Sequence, residues 1–121
     1  MKPIRLLALL LACFAAAAHA QGWPSKPVRI VVAYPPGGGI DVMARQIAER
    51  LTSAWGQPVV VENKPGANTI IATDAVAKSA PDGTTILMTT DATFSINPHL
   101  YKKLPFDTQR DFIPVTMLVL L

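Results

Sequence analysis

At 121 residues, half of them hydrophobic, and with a single Cys, the chain suffices for one small domain but not for a disulfide framework. Eleven Lys and Arg against eight Asp and Glu give a formal charge of +3. Lys2 and Arg5 sit in a leader-like start, so the rest is close to neutral, which excludes a basic surface for nucleic acid.

The first twenty residues read as a signal peptide. Lys2 and Arg5 form its basic region, Leu6 to Ala18 its apolar core, and Ala18-His19-Ala20 the cleavage site before Gln21. The apolar run is short for a bilayer span, so no membrane insertion is expected after cleavage. A lipid anchor at Cys13 is disfavoured, because Phe14 and four alanines follow where an anchored chain usually continues polar. The expected mature domain, 21–121, then has no thiol and one histidine, His99. No clustered metal ligands stand out, and no cofactor is expected.

Val28 to Ala33 is a nearly continuous apolar run, the pattern of a strand buried on both faces, and Pro35-Pro36 stops it. Three glycines follow. In Ile40 to Trp55 the residues Ile40, Met43, Ala44, Ile47, Leu51 and Trp55 recur at helical spacing, with Asp41 in the first turn and Gly56 and Pro58 closing the element. Pro58 to Glu62 predicts a second short buried strand. Asn68 or Thr69 is placed to cap a helix over Ile70 to Ser79, which Pro81-Asp82-Gly83 ends. Thr84 to Thr90 predicts a third strand, "DATFSINPHLY" a short helical or turn segment, and "KKLPFDTQR" a polar loop. Phe112 to Leu121 predicts a fourth strand; with nothing polar after it, it reads as an element whose continuation is missing. The order is that of an α/β fold with a mainly parallel sheet and flanking helices.

In such a sheet ligands bind beyond the carboxyl ends of the strands. Three loops converge there: Tyr34 to Asp41, Asn63 to Thr69, and Thr90 to Ser95. Gly37, Gly38 and Gly39 permit positive φ and leave the main chain uncovered at a helix start, where unpaired N–H groups attract anions. Candidate ligand-binding residues are Tyr34, Gly38, Gly39, Asp41, Asn68, Thr90, Asp91 and Thr93. Asp41 would repel an anion directly, so its expected role is to organise the glycine turn. Tyr34 divides between core and pocket wall, and Asp91 serves equally well as a helix cap. Thr90 and Thr93 can offer hydroxyls to a ligand or to caps.

Two other chemistries are weighed. Gly37-x-Gly39 with Glu62 twenty-three residues beyond Gly39 resembles a dinucleotide fingerprint, but Val42 stands at the third glycine position. A nucleotide- or phosphate-binding enzyme domain is therefore the alternative reading. Ser53, Ser79 and Ser95 lack a nucleophile-elbow setting, so no catalytic residue is named.

Five segments, "WPSKPVRIVVAYPPGGGIDVMAR", "GQPVVVENKPGAN", "VAKSAPDGTTILM", "INPHLYKKLPFD" and "DFIPVT", together resemble the periplasmic solute receptors of tripartite tricarboxylate transporters, the Bug family. The resemblance runs from Trp23 to Met117. It implies a two-lobed, type II periplasmic binding protein that is not an enzyme and that holds a small carboxylate and delivers it to membrane permease subunits. Residues 21–121 would be a truncated first lobe. By position, Tyr34, Gly38, Gly39 and Asp41 fall on the family's first ligand loop, Asn68 on its second, and Thr90 to Thr93 on its third. Thr69 and Ala72 stand where the family often has glycine, and Gly83-Thr84-Thr85 replaces the commoner Gly-Tyr-Thr. A fragment with impaired binding is expected, since an open half-site must offset about 4–15 kcal/mol of association cost with bonds of about 1.5–3 kcal/mol each. The apolar end "TMLVLL" also leaves open an inert gene remnant, because an unpaired strand invites aggregation.

Overall fold

The structure, a computed structural model, describes residues 22–119. The expected signal peptide and Cys13 lie outside the described residues. Strand β1 (Val28–Val32) is the centre of a parallel sheet, with β2 (Val59–Asn63) on one side and β3 (Thr85–Met88) on the other. Helix α1 (Gly39–Trp55) links β1 to β2, and α2 (Ile70–Ala77) links β2 to β3. Two one-turn helices, α3 (Ala92–Ser95) and α4 (Asn97–Leu100), follow. The first crossover runs from β1 outward to β2 and the second back from β2 past β1 to β3, so crossovers of one hand put their helices on opposite faces.

Burial alternates accordingly. Ile30 and Val32 pack against Ala44 and Ala48 of α1, while Val31 and Ala33 pack with Ala72 of α2. The expectation for β1 therefore holds, since both faces are covered. The centre of the α1 stripe is small: Ala44 is fully buried and Ala48 nearly so, flanked by Ile40 and Ile47. Ala48 was not part of the expected stripe. Its lack of bulk lets the helix lie close to the sheet. The helix ends as expected, with Gly56 left-handed at φ 65° and its N–H donated to the Thr52 carbonyl. Thr52 Oγ1 also accepts the Val59 N–H, so the helix end is tied to the start of β2.

Several expectations are corrected. Strand β2 is an edge strand, only partly covered, with Val60 54% exposed. Strand β3 and helix α2 are shorter than expected, as Thr89 and Thr90 leave the ladder and the helix closes at Ala77. Neither Asn68 nor Thr69 caps α2 with its side chain, because Ala67, Asn68 and Thr69 all adopt positive φ. The expected polar loop is an ordered turn: the N–H groups of Gln109 and Arg110 donate to Asp107 Oδ1, and Phe106 is buried edge-on to Phe112. Residues 112–119 form no strand. A strand is a ladder before it is a sequence preference, and this segment has no ladder partner among the described residues. Its apolar residues stay solvated, Ile113 at 90% and Val115 at 80% exposure.

At the amino ends of the strands, Trp23 meets Trp55 edge-on and donates its indole N–H to the Asp82 carbonyl, while Lys26 pairs with the Asp82 carboxylate. The segment before β1 thus closes the edge opposite the loops.

The close approach of α1 is testable. Ala44→Leu overpacks a filled site and is expected to cost about 1–3 kcal/mol in urea denaturation. Val42→Leu, on the exposed side of the same helix, is expected to stay within about 0.5 kcal/mol.

Candidate functional site

All three strands are parallel, so the chain leaves each of them at the same edge. From β1 it runs into Tyr34-Pro35-Pro36 and the glycines, from β2 into Lys64 to Thr69, and from β3 into Thr89 to Thr93. Hydrogen bonds stitch these loops together. Tyr34 Oη and Thr90 Oγ1 lie 2.8 Å apart, and Asn63 Nδ2 donates to the Tyr34 carbonyl at 3.1 Å. The Thr69 and Thr93 hydroxyls share a 2.8 Å bond, and Thr89 joins Thr93 at 2.6 Å.

Among the glycines only Gly37 needs to be one for conformational reasons, with φ 87°. Gly38 has φ −77° and ψ 166°, extended backbone open to any residue. All three glycines permit positive φ, and of the three only Gly37 adopts it. A Cβ at Gly38 would meet nothing nearer than the Pro35 carbonyl at 3.8 Å, and one at Gly39 would meet nothing within 4 Å. The described residues give no steric reason for the absence of side chains at these two positions. Beside them lies a shallow pocket of about 280 Å³ lined by Tyr34, Pro35, Pro36, Gly38, Gly39 and Ile40.

The N–H groups divide in the same way. Gly37 donates to Asp41 Oδ2 at 2.9 Å, so this nitrogen is turned into the protein, contrary to the expectation that it is free. The first helical bond is Val42 N–H to the Gly38 carbonyl at 3.0 Å. Among the described residues no acceptor takes the N–H groups of Gly38, Gly39 or Ile40, as the first turn of a helix dictates.

Asp41 is 3% exposed and points away from the pocket. Its two oxygens accept from Arg45 Nε and Nη2 at 3.0 Å each, from Asn63 Nδ2 at 2.9 Å and from Gly37. The Arg45 guanidinium, then the Gly37 and Asn63 donors, hold its carboxyl at about 2. The remaining candidates do not line the pocket. Thr93 is 1% exposed and its hydroxyl is engaged by Thr69 and Thr89, Thr90 is bonded to Tyr34, and Asp91 is exposed at the start of α3 without a capping bond. Asn68 donates to Asn97 Oδ1. Three organising residues, Arg45, Asn63 and Asn97, were not singled out from sequence. Only Asn63, a polar residue closing an apolar strand, carried a local signal.

Glu62, the acid of the dinucleotide alternative, is held by Lys64 Nζ at 2.7 Å and Arg29 Nη1 at 3.2 Å. Lys64 foremost draws its pKa below the usual carboxylate value. Among the described residues, no group of three or more His, Cys, Asp or Glu could hold a metal, and no helix is long and apolar enough to cross a membrane.

Because the Asp41 carboxyl sits near 2 in the folded chain, against an ordinary value of 3.8, its contribution is complete above about pH 4 and fades as pH falls through 2. Asp41→Asn is expected to melt lower than the parent at pH 6, with the gap closing toward pH 2. Thermal melts followed by circular dichroism check this, and a gap independent of pH would contradict it.

A family model described as the tripartite tricarboxylate transporter family receptor matches residues 43–120. A UPF0065 protein of Bordetella pertussis is 46% identical over 95% of this chain, which spans 38% of that relative's length. The solved periplasmic binding protein BugD is 42% identical and superposes with a TM-score of 0.68 over 74% of this chain and 30% of its own. MatC of Rhodopseudomonas palustris, solved with bound malate, is 35% identical with a TM-score of 0.71, over 77% of this chain and 32% of its own. The chain therefore belongs to the tripartite tricarboxylate transporter receptor family.

Proposed function

We propose that this chain supplies the carboxylate-capturing loop edge of a periplasmic receptor that passes a small dicarboxylate to membrane permease subunits. One observation supports the reading: a side chain at Gly38 or Gly39 would meet no clash among the described residues, and their N–H groups have no acceptor among them beside an open pocket. A carboxylate placed there accepts from the Gly38, Gly39 and Ile40 nitrogens at the positive end of α1. Asp41, already neutralised by Arg45, adds little repulsion. The prolines and Ile40 give the pocket an apolar wall that suits the hydrocarbon part of the acid. Malate in the related MatC supports a dicarboxylate of this size. In this reading the loop edge acts by binding and release.

The chain spans about a third of the length of its relatives. Three bonds to a charged group, at about 1.5–3 kcal/mol each, scarcely exceed association costs of about 4–15 kcal/mol. The chain alone is therefore expected to bind malate in the millimolar range or more weakly, a free energy of about −4 kcal/mol or less in magnitude.

Titration of the isotopically labelled chain with malate, followed by amide NMR, tests the reading. The Gly38, Gly39 and Ile40 resonances are expected to shift together and saturably, and a response confined to other residues would overturn the proposal. Gly38→Val is expected to keep the fold, since its backbone suits valine, and to abolish those shifts. Unchanged binding in that variant would remove the glycine edge from the site.

A further inference from the structure

Asn97 lies outside every candidate set and does not line the pocket, yet at 1% exposure it is among the most deeply buried polar side chains described. It reaches across from α4 to the loop after β2. Its Nδ2 donates to the Asn68 carbonyl at 2.8 Å, and its Oδ1 accepts from Asn68 Nδ2 at 2.6 Å. Thr69 Oγ1 lies 3.4 Å from the same Nδ2. The segment it grips is unusual. Ala67, Asn68 and Thr69 have φ values of 45°, 51° and 74°, three successive left-handed residues of which none is glycine. Each is sterically disfavoured, and the run persists only where its surroundings hold it. Gly66, at φ 128°, and the Thr69–Thr93 hydroxyl bond hold the two ends, while Asn97 holds the middle.

From this juxtaposition we infer that Asn97 is a positioning residue for the second ligand loop, locking Ala67–Thr69 in the left-handed turn that sets the course of that loop along the loop edge. The inference rests on the receptor reading above. The amide suits the task because it offers a donor and an acceptor at once. Asn68 presents the same pair in reverse through its carbonyl and its Nδ2, so the two residues close a ring. A leucine of similar size would satisfy neither. An aspartate would keep the acceptor and lose the donor, breaking the bond to the Asn68 carbonyl and placing a carboxylate at the buried position 97. Because α4 follows β3, the clamp also ties the second loop to the third, and the orientation of Asn68 then depends on a residue 29 positions away.

Asn97→Asp is the test, read in the labelled chain by two independent NMR measurements. One-bond Cα–Hα couplings report the sign of φ at residues 67–69, and malate titration reports affinity. The expected result is loss of the positive-φ signature at Asn68 and Thr69 and at least a fivefold weaker malate affinity. The resonances of Gly38–Ile40 in the free chain should stay where they were, which a general structural defect would not allow. Retention of the left-handed couplings, or of the parental affinity, overturns the assignment. Should the unsubstituted chain show no malate response, the receptor reading fails, and the couplings alone then decide whether Asn97 holds the turn. If Asn97→Asp does not fold, Asn68→Ala cuts one strand of the same clamp from its exposed end. Couplings unchanged in that variant would equally overturn the assignment.

Discussion

The carboxylate of Asp41 joins three pieces of chain that would otherwise have little reason to stay in register. Its oxygens receive the Gly37 N–H from the loop, the Arg45 guanidinium from the next turn of α1, and the Asn63 amide from the end of β2. The Asn63 amide in turn holds the Tyr34 carbonyl, which brings in the end of β1. A buried carboxylate is tolerable only when its lone pairs are met by donors, and here four bonds meet them. Drawing the Gly37 nitrogen inward fixes where the following nitrogens lie. The site depends on a charge that takes no part in lining it.

A second set of contacts extends that order sideways. Neutral hydroxyls and amides connect the remaining loops: Tyr34 with Thr90, Thr69 with Thr93, Thr93 with Thr89, Asn68 with Asn97. Such bonds are directional and individually modest, about 0.5–1.5 kcal/mol each. They specify geometry without adding charge at the loop edge. An anion arriving there meets dipoles, with no fixed cation among the residues lining the pocket. Neutral dipoles hold an acid without the strong desolvation cost that separates a buried ion pair, which suits a receptor that must also let go.

Much of the architecture was legible in the sequence, because it follows from periodicity. Val28 to Ala33 could only be a strand covered on both faces, and Gly56 with Pro58 could only end a helix. The segment 112–119 shows the limit of that reasoning. Its residues favour a strand, but a strand exists only through a neighbour's hydrogen bonds, and periodicity does not supply the neighbour. The loop edge was legible as a place and less so as an arrangement. Glycines announced an uncovered backbone and Asp41 read as the organiser of their turn, yet nothing local told that it would take the Gly37 N–H alone and leave Gly38 and Gly39 bare. The roles of Asn63 and Asn97 were hard to read for a related reason: each acts on a residue brought near by folding, Asn63 on Asp41 and Asn97 on a residue 29 positions away.

The clamp of Trp23 on Trp55 and Asp82 has a geometric corollary. It gathers the chain ahead of β1 at the amino ends of the strands, the pole of the sheet opposite the glycines. Anything joined in front of Trp23, whether a purification tag, a fluorophore or a tether to a solid support, starts from the pole of the sheet opposite the glycine loop. Immobilising the molecule by that route holds it at the end away from its loops.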